Sequence, residues 1–368
     1  MSEKLHILLE TALALSAQFQ TTLDTTPPTA ATAENDDAAN PSPLVLLSNS
    51  AKTLRAQVTK LSLLTITAPF TPSALCTSLT PVNDSVMPSM VTAVLMLTPG
   101  EYTKAFSLEA RLLVKTALKE FSVLVEAITS FADELKKGEK KSELSKSEKE
   151  AITSQTGRVW DACDTITTLV TQGVVGHVVR RVQEWHDLVK DAISELEEWD
   201  PEEDDADFEE LLDVGDETAK DIEKNGKESD EEEEDDDIEA LHEQKKSLLR
   251  ALKPIAQIYP AIISNRCKKG GLTASKSQIA KLESLTSDLQ SIPGHVDEAA
   301  GSLYESNLDD SVRYLNKAKT TAERAIELVI YPWTENSTIT EQQQGDKFTI
   351  WSTTWRKVMG NVIKDIQS

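Results

Sequence analysis

At 368 residues the chain is long enough for about two domains, and with only 5% aromatic residues its cores must be filled by Leu, Val, Ile and Ala, which favours helix bundles over β-sandwiches. Of the formal net charge of −24, −18 sits between residues 201 and 237, where 21 acidic residues face only Lys220, Lys224 and Lys227; the rest of the chain carries −6. Such a segment repels a phosphate backbone, which disfavours direct nucleic-acid binding, and makes basic protein surfaces its natural electrostatic partners.

Cys76, Cys163 and Cys267 lie far apart with no C-x-x-C spacing, against both a zinc site and a disulfide framework. Residues 1–23 lack a basic stretch followed by an uninterrupted apolar one, and no 18-residue apolar run occurs, so an intracellular chain without a membrane span is expected.

The N-terminal helical pattern stops near Leu23, and residues 25–43, TTPPTAATAENDDAANPSP, read as a flexible connection. Helical periodicity resumes over 44–66. Three further helix starts are marked by Thr71-Pro72, by Asn83 after Pro81 and by Thr98-Pro99, since Thr or Asn can cap a free helix N–H and proline has none to lose. The strongest pattern is 101–138, where Phe106, Ala110, Leu113, Ala117, Phe121, Leu124, Ile128, Phe131 and Leu135 recur every three or four residues. Lys136 and Lys137 favour its C-terminal dipole and Gly138 ends it. A lysine-rich interhelical turn follows, and Ser145 with Glu148 has capping-box spacing.

Ile152, Thr156, Val159, Cys163, Ile166 and Val170 mark the buried side of the next helix, which Gly173 and Gly176 should bend or break. Val175, Val178, Val182, Trp185, Val189, Ala192, Leu196 and Trp199 then alternate by three and four. The regularity resembles a zipper, but we read it as one helix of an intramolecular bundle. After the acidic segment, apolar stripes return at Leu241–Ile262 (kinked by Pro254 and Pro260), at Ile279–Leu289 (interrupted at Pro293-Gly294), at Leu308–Val329 and at Phe348–Ile366. No stretch alternates with period two. The expected architecture is all-α: a helical bundle over 1–200, a largely disordered acidic linker over 201–237, and a second bundle over 238–368.

No catalytic motif is present. The five histidines have no metal partner at helical spacing, His177 and His186 fall on opposite faces of one helix, and Cys163 on its apolar stripe reads as a buried thiol. No catalytic, cofactor-binding or metal-binding residue is therefore assigned. Phe208, Leu211 and Leu212 give the stretch PEEDDADFEELLD an apolar edge in an acidic field, which docks into a partner's groove, extends the preceding bundle helix or packs on its own bundle. Ser229, three residues before Glu232, sits in an acidophilic phosphorylation context. Trp160 is an interface anchor if it lies off the main stripe, and a core residue otherwise.

Two stretches, Val159-Trp160-Asp161-Ala162-Cys163 and Val189-Lys190-Asp191-Ala192-Ile193-Ser194-Glu195-Leu196-Glu197-Glu198, resemble the cyclin-D-interacting (cyclin-D-binding-protein-like) family. The order of parts also fits: residues 71–94, the long helix, these two stretches, an acidic insert and a C-terminal helical half. The resemblance implies a non-enzymatic protein with bundles similar to those of vinculin, talin and α-catenin. It further implies binding to D-type cyclins and helix-loop-helix transcription factors, negative regulation of cell cycle and transcription, and a place in cytoplasm and nucleus. No basic region precedes a heptad stretch here, so a DNA-binding helix-loop-helix role is not supported. The rival expectations are an acidic chaperone for basic proteins such as histones or ribosomal proteins, and a cytoskeletal adaptor.

Overall fold

The computed structural model describes residues 3–25, 42–137, 144–201, 227–333 and 346–367, the side chains of 137, 227–237 and 367 excepted. Among the described residues the secondary structure is entirely helical, as the sequence pattern requires. The connection 25–43 falls almost wholly outside them, as do Phe208, Leu211 and Leu212.

The elements are α1 (Glu3–Thr25), α2 (Pro43–Ile66), α3 (Pro72–Pro81), a π-helical turn (Val82–Val86), α4 (Met87–Leu95), α5 (Lys104–Lys137), α6 (Lys146–Glu198), α7 (Lys227–Ala256), α8 (Ile258–Ile262), a second π-helical turn (Ile263–Lys268), α9 (Lys276–Tyr304), α10 (Leu308–Leu328) and α11 (Lys347–Gln367). They form two compact units, Met1–His177 with Ala274–Ala280, and Val178–Thr273 with Lys281–Ser368. The division falls inside α6 and not near residue 200. The heptad-patterned end of α6 belongs with the C-terminal half: Trp199 meets Tyr304 edge-on at 4.9 Å, and Lys253 pairs with Glu197 at 2.6 Å. Close to the division Gly173 breaks the helix with φ 61 and ψ −172, a left-handed conformation that favours glycine, as the sequence leads one to expect of that position. Gly176 stays helical.

In the first unit α5 is the central helix. Phe106, Ala110, Val114, Ala117, Leu118, Phe121, Leu124, Val125 and Ile128 are all fully buried, so the stripe takes in Val114 and Leu118 while Leu113 is only half-buried. Polar pairs fix its neighbour: Ser16 of α1 donates to the Leu118 carbonyl at 2.9 Å and accepts from Ser122 at 2.7 Å. The starts predicted at Thr71, Asn83 and Thr98 need correction in detail. Helix α3 does begin at Pro72, but the Thr71 hydroxyl donates to the Pro69 carbonyl instead of capping. Asn83 sits within the π-helical turn, and its amide donates to the Leu8 carbonyl at 3.0 Å. The cap of α5 is Thr103, whose hydroxyl accepts from the Phe106 N–H at 3.3 Å; Thr98 instead holds a turn through its carbonyl. The box at Ser145 and Glu148 forms as its spacing predicts, with the Ser145 N–H donating to Glu148 at 2.8 Å.

In the second unit α7 starts at Lys227, so the acidic run 229–237, with Ser229, enters its N-terminal turns. The stripe of α7 stops at Ala256, between Pro254 and Pro260, as those prolines require. The interruption expected at Pro293 does not occur, and α9 runs through it. Proline 293 cannot donate to the carbonyl four residues back, that of Leu289. The buried Tyr259 hydroxyl takes its place at 3.0 Å, which removes the cost of the missing N–H.

A buried arginine also organises this unit. Arg266, in the second π-helical turn, is 1% exposed. Its guanidinium donates in two parallel bonds to Asp346, at 2.7 and 3.0 Å, and to the carbonyls of Val329, Asn265 and Ile330. All five N–H donors are used, and the group lies 4.3 Å from the centre of the Phe348 ring. Asp346 in turn accepts from the Thr349 N–H at 2.9 Å, capping α11. Gly270 is required beside this site, because a Cβ there would lie 2.7 Å from the Arg266 carbonyl oxygen. The sequence reading missed the pair; its one local signal is Asp346 three residues before Thr349 at the head of an apolar stripe.

Two outcomes follow. Tyr259→Phe should cost about 1–2 kcal/mol by orphaning the Leu289 carbonyl, and less in a Pro293→Ala background that restores an N–H; urea denaturation of the four proteins in this cycle measures the difference, and equal costs would refute the link. The hydrogen bonds from Arg266 hold the Asp346 carboxyl down to about 2. Because the folded value lies below the ordinary one, the pair's contribution is present above about pH 4 and is lost as pH falls towards 2. Unfolding free energy followed down this range should decline less steeply in Asp346→Asn than in the wild type.

Candidate partner-binding surface

Helices α2 and α6 pack antiparallel in the first unit, and a column of polar pairs links them turn by turn. Ser62 hydrogen-bonds Thr156, Trp160 donates its indole N–H to Thr59 at 3.0 Å, and Arg55 pairs with Asp164 at 3.1 Å. The residues on α2 descend by three and four as those on α6 ascend by four, so the column follows one face of each helix. Ser62 and Thr156 are buried, whereas Arg55 and Asp164 are exposed, so the column runs from core to surface.

Trp160 occupies the step between them. It is half-buried, with its polar edge tied to Thr59 and the Arg55 guanidinium 5.0 Å from the ring centroid. Arg55 is held in that position by Asp164, one helical turn beyond Trp160. On α2 the face continues to Leu63, which is 55% exposed. An aromatic ring anchored by its N–H, an arginine over it and an exposed leucine nearby are the ingredients of a protein-interaction anchor. The sequence gives Trp160 as an anchor or a core residue, and the half-buried setting has elements of both. Arg55, Thr59 and Leu63 were not singled out by the sequence; their i, i+4, i+8 spacing on α2 was the available signal.

Other candidate groups are closed to solvent. Cys163 is buried as its stripe position predicts, and burial, with Asp164 adding to it, pushes its thiol up to about 12, so it stays protonated and poorly nucleophilic. His177 is fully buried. Its Nε2 lies 2.9 Å from Glu109 and its ring meets Phe106 edge-on at 5.6 Å. Among the described residues no group of three or more His, Cys, Asp and Glu side chains could hold a metal ion, and no helix is long and apolar enough to cross a membrane. Ser229 lies in α7, with its side chain outside the described set.

Trp160→Phe, which keeps the ring and loses the bond to Thr59, should destabilise by about 1 kcal/mol, and Trp160→Ala by about 2–3 kcal/mol, in urea denaturation followed by circular dichroism. Similar costs for both would mean that ring packing contributes little.

The family model described as "Grap2 and cyclin-D-interacting, N-terminal" matches residues 46–202. That span contains nearly all of α2 and the whole of α3 to α6, and with them Arg55, Thr59, Leu63, Trp160 and Asp164. No curated protein matches the chain. The resemblance carried by Val159–Cys163 and Val189–Glu198 thus lies within a continuous segment, residues 46–202, that is similar to the N-terminal region of the Grap2 and cyclin-D-interacting family.

Proposed function

We propose that the chain is a non-enzymatic adaptor that regulates cell cycle and transcription by binding other proteins, a D-type cyclin or a helix-loop-helix transcription factor among them, in cytoplasm and nucleus. The observation that carries this reading is the anchored Trp160 under Arg55, inside the segment that matches a family named for its cyclin-D interaction. In this reading a partner's helix displaces water from Leu63 and the rim of Trp160, while Arg55 and Asp164 fix its register. Phe208, Leu211 and Leu212 supply a second, auxiliary contact, and phosphorylation at Ser229 adds charge to the acidic tract without altering the bundle surface.

A second reading rests on a different observation, the 21 acidic residues of 201–237. There the tract itself shields basic clients such as histones or ribosomal proteins. Salt and deletion separate the two, because a bond made by many exposed charges weakens steeply with ionic strength. Binding of the full chain to a purified D-type cyclin should fall about tenfold or more in the double variant Arg55→Ala, Trp160→Ala and survive both moderate salt and removal of residues 202–226. Binding to core histones that disappears with the tract and with salt, alongside cyclin binding indifferent to Trp160, would favour the chaperone.

A further inference from the structure

The C-terminal unit carries an apolar groove with a basic rim, built where α7 ends against α11. Apolar Pro254, Trp351, Trp355 and Val358, together with Lys253, Gln257 and Thr354, line an open space of about 380 Å³. The proline carbonyl accepts the Trp355 indole N–H at 2.8 Å, so the edge of that indole is fixed. Phe348, Met359 and Ile363 supply the buried contacts of α11. Its opposite side is not polar throughout: Ile350 is 64% exposed and Val358 43%, with Trp351 half-buried beside them. Ile350, Thr354 and Val358 follow one another at i, i+4, i+8 and form a strip alongside the groove.

The charge around this strip opposes that of the whole molecule. Helix α11 holds Lys347, Arg356, Lys357 and Lys364 against Asp365, and α7 from Leu241 onwards holds Lys245, Lys246, Arg250 and Lys253 against Glu243; each is net +3 in a chain of −24. Some of these cations are engaged, Arg250 with Asp365, Lys253 with Glu197 and Arg356 with Glu327. Lys347 and Lys357 are exposed and flank the apolar strip at helical spacing.

We propose that this groove docks an amphipathic helix of a partner protein, whose apolar edge covers Ile350, Trp351 and Val358 and whose flanking carboxylates meet Lys347 and Lys357. An apolar strip gives the contact its burial, and the basic rim selects the sign of the incoming helix, because a cationic helix meets like charge there. This surface is separate from the one centred on Trp160, and its occupancy does not depend on the cyclin reading.

The test uses the full chain and a fluorescent synthetic helical peptide with leucines at i, i+4 and i+7 edged by glutamates. Two controls accompany it: the same composition with the leucines out of phase, and glutamates replaced by lysines. Anisotropy should show saturable binding of the acidic, in-phase peptide alone. Ile350→Glu with Val358→Glu should weaken it about tenfold or more, and Lys347→Glu with Lys357→Glu should weaken it and flatten its salt dependence, while Trp160→Ala leaves it unchanged. Both pairs replace exposed side chains, and an unaltered melting curve verifies that each variant is folded. Equal binding of the out-of-phase peptide, or no effect of Ile350→Glu with Val358→Glu, would overturn the proposal. It would also be overturned in favour of the chain's own acidic segment if binding emerged only after residues 202–226 were removed. Sedimentation that shifted from dimer to monomer in Ile350→Glu with Val358→Glu would replace the partner with a second copy of this chain.

Discussion

A guanidinium buried to 1% exposure has no water to satisfy it, so every N–H of Arg266 must find a protein acceptor or the C-terminal unit would bear a large desolvation cost. The acceptors it finds come from three places in the chain. Its own turn contributes the Asn265 carbonyl, the two residues that follow α10 contribute those of Val329 and Ile330, and the head of α11 contributes the Asp346 carboxylate. Asp346 then caps α11 through Thr349, and Phe348 lies under the same guanidinium. The entry of the last helix is thus set by one charge. The placement of Trp351, Trp355 and Val358 beside α7 follows from it.

The same logic of satisfying buried polar groups recurs wherever a helix departs from regularity. Pro293 leaves the Leu289 carbonyl without a helical donor and Tyr259 supplies one. The carbonyls of Glu197, in the last turn of α6, and of Trp199, just beyond it, receive the Lys245 ammonium. In the first unit Ser16, Ser62 and Thr156 add hydroxyl hydrogen bonds between helices packed largely through apolar side chains. With few aromatic side chains to define unique packing, hydroxyls and cations at chosen points give the helices their register.

Several tryptophans, buried or half-buried, lie beside cations. Trp160 has Arg55 over its ring and Trp185 has Arg181 at 5.5 Å, while Trp351 and Trp355 border the basic rim of α7 and α11. Tryptophan next to a cation suits recognition of helices that combine apolar and acidic residues. A chain with its negative charge concentrated in 201–237 can keep such cationic aromatic surfaces within otherwise nearly neutral units.

The amino-acid sequence alone determined the helical class, the long stripe of α5, the capping box at Ser145 and the break at Gly173. Each of these is a local matter of period, cap geometry or backbone freedom, and such matters are written within a few turns of chain. It also carried the family resemblance, which depends on the order of short segments. The tertiary structure decided what sequence spacing cannot express. The continuity of α9 through Pro293 depends on a tyrosine 34 residues earlier, and the cap of α11 on an arginine 80 residues away. The assignment of 178–198 to the C-terminal unit likewise rests on partners such as Tyr304 and Lys253. A buried polar group is satisfied by whichever donor the fold brings near, so its partner is fixed by packing and not by distance along the chain.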